Sequence, residues 1–157
     1  MLIIGIDPGT RVVGYGIIDL DGARMIAVTA GVISVSAKLT MEQRLARISS
    51  ELRQVLKDHH PESAAMEDVF VHRDPSSALK IGFGRGAILA VLGEAHLEVG
   101  SYPPATIKKA VAGNGRAPKE QVARMVTAIL GLPSAPEPLD ATDALAVAIT
   151  HALRHRF

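Results

Sequence analysis

The stretch LIIGIDPGTRVVGYGIIDL, residues 2–20, consists of two apolar runs around the turn-rich PGTR. Short runs of apolar and β-branched residues bounded by Gly and Pro are too brief for helices, so the chain opens with two strands joined tightly. ARMIAVTAGVIS, residues 23–34, supplies a third strand. Strands that follow one another with short connections pair antiparallel, and the rest of the chain must build onto this meander.

Working outward, apolar residues at Leu45, Ile48, Leu52, Val55 and Leu56 keep helical spacing from Leu39 to about His59, and Pro61 closes the segment. ESAAMEDVF, residues 62–70, reads as a fourth strand. Asp74 followed by Pro75 is a capping residue before a proline at the first helical position, which predicts a helix running to about His96. LEVGSY, residues 97–102, is a short fifth strand. Three helices follow: PATIKKAVAG up to Gly113, APKEQVARMVTAILG from Pro118 to Gly131, and a last helix from near Leu139. The expected class is α/β, a mixed five-stranded sheet of antiparallel meander plus parallel strands, flanked by helices. At 157 residues the chain is expected to form one domain, 1–157.

Composition narrows the function classes. Cysteine is absent, which excludes disulfide frameworks and thiolate metal sites. The opening MLIIGID is too short for a membrane span and lacks a basic flank, so a cytoplasmic protein is expected. The net charge of +1 hides a division along the chain. Residues 70–126 carry 8 Lys and Arg against 4 Asp and Glu, whereas residues 1–69 carry 7 against 9 and residues 127–157 carry 2 against 3. A basic middle between acidic ends suits a polyanion held near a group of carboxylates, although scattered solvated charge produces the same count.

LDATDALAVAIT, residues 139–150, places Asp140 and Asp143 three apart at the head of an otherwise uncharged helix. Residues at that spacing are neighbours on one helix face. Acids in a first turn also favour the positive end of the helix dipole, so the pair alone does not decide. Asp7 ends an apolar strand beside a glycine turn, and Glu67 interrupts the fourth strand, where alternation sends Glu67 and Asp68 to opposite faces. If these acids converge, carboxylates about 4 Å apart repel by roughly 4 kcal/mol per pair at an effective dielectric near 20. Raised pKa values or bound cations make such a cluster tolerable. An all-oxygen donor set favours a hard cation, Mg2+ with Mn2+ as substitute, and a pair of such ions suits phosphodiester hydrolysis.

Four separated segments, GIDPGTRVVGYGIID, MEDVFVHRDPSSALKIGFGRGAI, IKKAVAGNGRAPKEQVARMV and DATDALAVAITHA, together resemble the RuvC family of bacterial Holliday-junction resolvases within the RNase H-like nuclease superfamily. The resemblance covers nearly the whole chain in order. It implies an RNase H-like fold and a metal-dependent homodimer that nicks two strands of like polarity symmetrically at a four-way DNA junction, in recombination and repair. It further implies an acidic tetrad of Asp7, Glu67, Asp140 and Asp143, with Mg2+ bound, two ions per site when substrate is present. Lys108 and Lys119 match family lysines that contact phosphate or stabilise developing charge, with Lys109 competing for the first role. Phe70 matches an aromatic placed against unpaired bases at the junction. Arg73, Lys80, Arg85 and Arg116 lie in the same segments as candidate phosphate contacts. The branch-migration proteins RuvA and RuvB are the implied partners. Two departures are Asp68, where relatives commonly carry a neutral amide, and the ending HALRHRF, where many relatives continue with a basic tail.

Other features allow plainer explanations. Gly82 and Gly86, four apart on one predicted helix face, suggest close approach of another backbone, from the sheet of the same chain or from a second subunit. Six histidines show no tight metal spacing, and His151, two turns from Asp143, is too distant for direct ligation. Two competing functions remain: an RNase H-like nuclease acting on RNA, and an actin-like or sugar-kinase ATP-binding fragment, whose first phosphate loop GIDPGT resembles. The second needs another phosphate loop and an adenosine-binding segment, neither of which is evident.

Overall fold

A computed structural model of the chain describes residues 1–68 and 74–155. The expected elements form, in the expected order: strands β1 (Leu2–Asp7), β2 (Val12–Asp21) and β3 (Arg24–Ser34), helix α1 (Met41–His59), strand β4 (Ser63–Glu67), helix α2 (Pro75–Glu94), strand β5 (Val99–Tyr102), and helices α3 (Pro104–Ala112), α4 (Lys119–Ile129) and α5 (Leu139–Arg154). The sheet order is β3-β2-β1-β4-β5. The first three strands pair antiparallel, while β4 lies parallel to β1 and β5 parallel to β4.

Local signals account for most boundaries. Thr40 caps α1 through a reciprocal pair of bonds with Gln43, the Thr40 N–H donating to Gln43 Oε1 at 3.0 Å and the Gln43 N–H to Thr40 Oγ1 at 3.4 Å. The Asp74 carboxylate accepts from the Ser76 and Ser77 N–H groups at the head of α2. Two strands are shorter than expected. β4 stops at Glu67, and β5 begins at Val99 because the Leu97 N–H is taken by the Leu92 carbonyl at 3.1 Å, closing the end of α2.

Strand alternation divides the molecule into two layers around the sheet. Ile4, Ile6, Val13, Ile17, Ala64 and Met66 face α1 and α2, meeting Ile48, Leu52, Ile88 and Leu92. Ile3, Ile18 and Ala65 face the other way, against α3, α4 and α5. Asp7 and Glu67 share the parity of Ile3 and Ala65, so both carboxylates emerge on the α5 side. The parallel register pairs Ile6 with Met66, which brings these two acids side by side at the ends of adjacent strands.

Helix α5 lies unusually close to the sheet. A Cβ at Gly5 would collide with the Ala144 carbonyl oxygen and come within 2.5 Å of the Ala148 nitrogen; one at Gly14 would collide with the Asp140 carbonyl oxygen. Gly16 admits the Leu145 side chain. The helix answers with small buried residues, Ala141, Ala144 and Ala148. Helix backbone therefore rests on strand backbone, and glycine is the residue that permits it. His151, fully buried, pins the far end of α5: its ring nitrogens bond Ser63 Oγ on β4 at 2.7 Å and the Tyr102 hydroxyl on β5 at 2.8 Å. Burial pushes its pKa down to about 4.

Gly5→Ala should lower stability by about 1–3 kcal/mol, the usual cost of overpacking a closed interface. Urea unfolding checks this, and an unchanged midpoint with an unchanged slope would contradict the glycine floor beneath α5.

Candidate active site

Register and close packing together bring the acids into one place. Asp7 is the residue paired with Gly14 across β1 and β2, and Gly14 is the residue on which the Asp140 carbonyl rests. The first turn of α5 is thus docked beside Asp7, and Asp143, one turn on, follows it. Thr142, buried between them in sequence, fixes the turn by donating from Oγ1 to the Pro136 carbonyl at 2.7 Å. As a result Asp7, Asp140 and Asp143 each present a carboxylate oxygen within 4.8 Å of the others. Glu67 lines the same cleft of about 140 Å³, together with Asp7, Asp143, Lys108 and Lys119. Its walls are apolar, formed by Ile107, Val122 and Ala146.

The electrostatic consequence falls mainly on Asp7. Burial, reinforced by the charge of Glu67 and then by Asp143 and Asp140, pushes its carboxyl up to about 8. Burial also raises Glu67 and Asp143 above the usual carboxylate range, against the pull of the Lys119 and Lys108 ammonium groups. Lys119 Nζ lies 3.6 Å from Asp143 Oδ2 while most of its side chain remains exposed. Such a set of half-buried carboxylates fits a hard divalent cation, because the donors are all oxygen and, among the described residues, Lys108 and Lys119 are the only cations lining the cleft beside them.

The remaining sequence-based candidates divide into four groups. Lys108 lines the cleft and Lys109 is exposed on α3, so the geometry separates two lysines that the sequence left competing. Lys80 and Arg116 are exposed on α2 and on the loop before α4. Arg85 is engaged within the chain: Nη1 donates to the Glu67 carbonyl at 2.6 Å and Nη2 lies 3.4 Å from Asp68 Oδ1. Phe70 and Arg73 lie outside the described residues. His151 has both ring nitrogens bonded, to Ser63 Oγ and to the Tyr102 hydroxyl. Sequence reasoning passed over Gly5 and Gly14, whose role is visible only when the partner helix is known; their recurrence inside apolar strands was the available signal.

The family model described as crossover junction endodeoxyribonuclease RuvC matches residues 3–151. A RuvC protein of Halorhodospira halophila is 48% identical over 154 residues, covering 98% of this chain and 90% of its own length. The solved structure of T. thermophilus RuvC in complex with a Holliday junction substrate superposes with a TM-score of 0.90 at 38% identity, covering 97% of this chain and 93% of that one. The yeast mitochondrial Holliday junction resolvase Ydc2, at 14% identity and a TM-score of 0.67, shares the fold. The chain belongs to the RuvC family of crossover junction endodeoxyribonucleases.

Proposed function

We propose that this chain resolves four-way DNA junctions by paired phosphodiester hydrolysis, with Asp7, Glu67, Asp140 and Asp143 as the ligands of two Mg2+ ions, replaceable by Mn2+. The observation that carries this reading is the convergence of acids from β1, β4 and α5 on one cleft beside two lysines, in a member of a junction-endonuclease family. Bound divalent cations supply Lewis acidity and a water of lowered pKa, which is the chemistry phosphodiester hydrolysis needs.

The chain's own residues supply position and field. Asp7 and Glu67 are held rigidly by paired strands, and Asp140 and Asp143 by a helix that cannot slide on its glycine floor, so the four carboxylates are set before substrate arrives. Lys119, tethered near Asp143 yet largely exposed, is placed to meet a phosphate and to stabilise charge that grows during bond breaking. Lys108 contributes positive charge from the opposite helix, and the basic segment 70–126 attracts the DNA backbone.

A second subunit is part of the same proposal. Leu79, Gly82, Gly86, Leu89 and Gly93 repeat at alternating spacings of three and four along α2, all exposed, with Phe83 beside them. A Cβ at Gly82, Gly86 or Gly93 would meet nothing within 4 Å among the described residues, whereas one at Gly84 on the inner face would come within 2.9 Å of the Gly9 carbonyl oxygen. Such an apolar, small-residue seam suits helix packing between two copies, and two copies supply two cleavage sites of like polarity. Family membership is likewise the support for RuvA and RuvB as partners and for one nuclease domain acting in the cytoplasm.

Cleavage of a mobile four-way DNA junction in preference to linear DNA or an RNA duplex tests the substrate assignment; equal cleavage of the RNA duplex would favour the RNA-directed reading. Asp7→Asn should reduce the single-turnover rate by about three orders of magnitude, a loss of about 4 kcal/mol of transition-state stabilisation. Junction binding should persist, and stability without metal should be unchanged near neutrality, where Asp7 already holds its proton, and higher above about pH 8, where a crowded charge is removed. Wild-type cleavage by Asp7→Asn in Mg2+ would overturn the metal-site assignment. Lys119→Ala should lower the cleavage rate at saturating protein more than it weakens junction affinity, and equal small losses in both would reduce Lys119 to an ordinary phosphate contact.

A further inference from the structure

Arg85 projects from α2 toward the ends of β4 and β5 rather than into solvent, with a side chain only 19% exposed. Its guanidinium spans three groups. Nη1 donates to the Glu67 carbonyl oxygen at 2.6 Å, while Nη2 lies 3.4 Å from Ser101 Oγ on β5 and 3.4 Å from Asp68 Oδ1. Glu67 is the last residue of β4, and beyond it the ladder to β5 continues through the Asp68 N–H, which donates to the Tyr102 carbonyl at 2.8 Å. The peptide unit carrying Glu67 is therefore gripped by β5 on one side and by the arginine fork on the other.

We propose that Arg85 is a positioning residue for the cation site: it locks the Glu67 peptide at the strand exit and thereby aims the Glu67 carboxylate into the cleft. The inference rests on the reading of Glu67 as a cation ligand. Terminal strand residues fray where the ladder ends, and a charge-assisted bond to the carbonyl removes that freedom at its origin. The leverage is large, since a misplacement of about 1 Å can cost roughly 100-fold in rate. The same fork takes up Asp68, so the second acid of the MEDV segment is partnered by Arg85 instead of adding an uncompensated charge beside the cluster. A lysine could not reproduce this, because an ammonium group lacks the planar fork that reaches a carbonyl, a hydroxyl and a carboxylate together.

The test compares the full-length protein with Arg85→Lys, Arg85→Ala and Glu67→Gln. Three quantities are read: Mn2+ affinity without DNA by electron paramagnetic resonance, single-turnover junction cleavage, and junction affinity without metal at several salt concentrations. Arg85→Lys retains the charge, so junction affinity and its salt slope should stay at the wild-type values. Mn2+ affinity and cleavage rate should each fall about tenfold, the usual scale for losing a group that orients a metal ligand. Arg85→Ala should lose at least as much. Wild-type Mn2+ affinity in Arg85→Lys would overturn the proposal, as would an Arg85→Ala whose only defect is weaker junction binding with a salt slope smaller by about one, the mark of a phosphate contact. If Arg85→Ala does not fold, Arg85→Lys decides alone; failure of both to fold overturns the proposal in favour of a purely structural role. Wild-type Mn2+ affinity and cleavage in Glu67→Gln would instead sink the assignment of Glu67 as a ligand, whatever the Arg85 variants do.

Discussion

The direct contact of the α5 backbone with the glycines of β1 and β2 is the constraint on which the site depends. A helix packed on a sheet through ordinary side chains stands about 10 Å away, a layer spacing that would leave Asp140 and Asp143 remote from a strand-borne carboxylate. Gly5 and Gly14 remove that layer, and Ala141, Ala144 and Ala148 remove its counterpart on the helix. The register that sets Asp7 opposite Gly14 then makes the proximity of Asp7 and Asp140 a matter of backbone geometry rather than of side-chain choice. His151, bonded to Ser63 and Tyr102, holds the other end of the helix and prevents it from pivoting on that contact.

What the packing produces is electrostatically unfavourable in isolation. Three carboxylate oxygens from Asp7, Asp140 and Asp143 lie within 4.8 Å of one another, with Glu67 in the same cleft, and among the described residues they are balanced by two lysines of which one is mostly exposed. The Asp7 carboxyl responds by holding its proton up to about pH 8. Concentrating stored repulsion at one point is costly for folding and useful for function, because a divalent cation that relieves it gains the same free energy in binding. The rigid supports around the cleft keep the acids from relaxing apart and losing that gain.

The strands, the helices and their order were legible in the sequence because apolar run lengths, the Asp74–Pro75 cap and the Gly stops are local signals. The four acids were legible as candidates, but their convergence needed the tertiary packing of α5 or the family resemblance, since Asp7 and Asp143 are far apart in sequence. The sequence shows which residues are charged but not what they touch, and for that reason Arg85 read as a phosphate contact although its guanidinium is turned inward to the Glu67 carbonyl. Gly82 and Gly86 suggest a face made for close approach; the structure assigns the inner approach to Gly84 and, among the described residues, leaves the outer pair open.

The central claim is that the cleft is a cation site whose acids are destabilised until it is filled. A carboxyl with a raised folded-state pKa binds its proton more tightly folded than unfolded, so it costs stability as pH rises from its ordinary value near 4 to about 8. A carbon-detected NMR titration of the Asp7 carboxyl, run without and with saturating Mg2+, measures that state directly. The expected result is a midpoint well above the ordinary carboxylate range in the free protein, moved below neutrality by Mg2+ with proton release on binding. An ordinary midpoint that Mg2+ leaves in place would contradict the account.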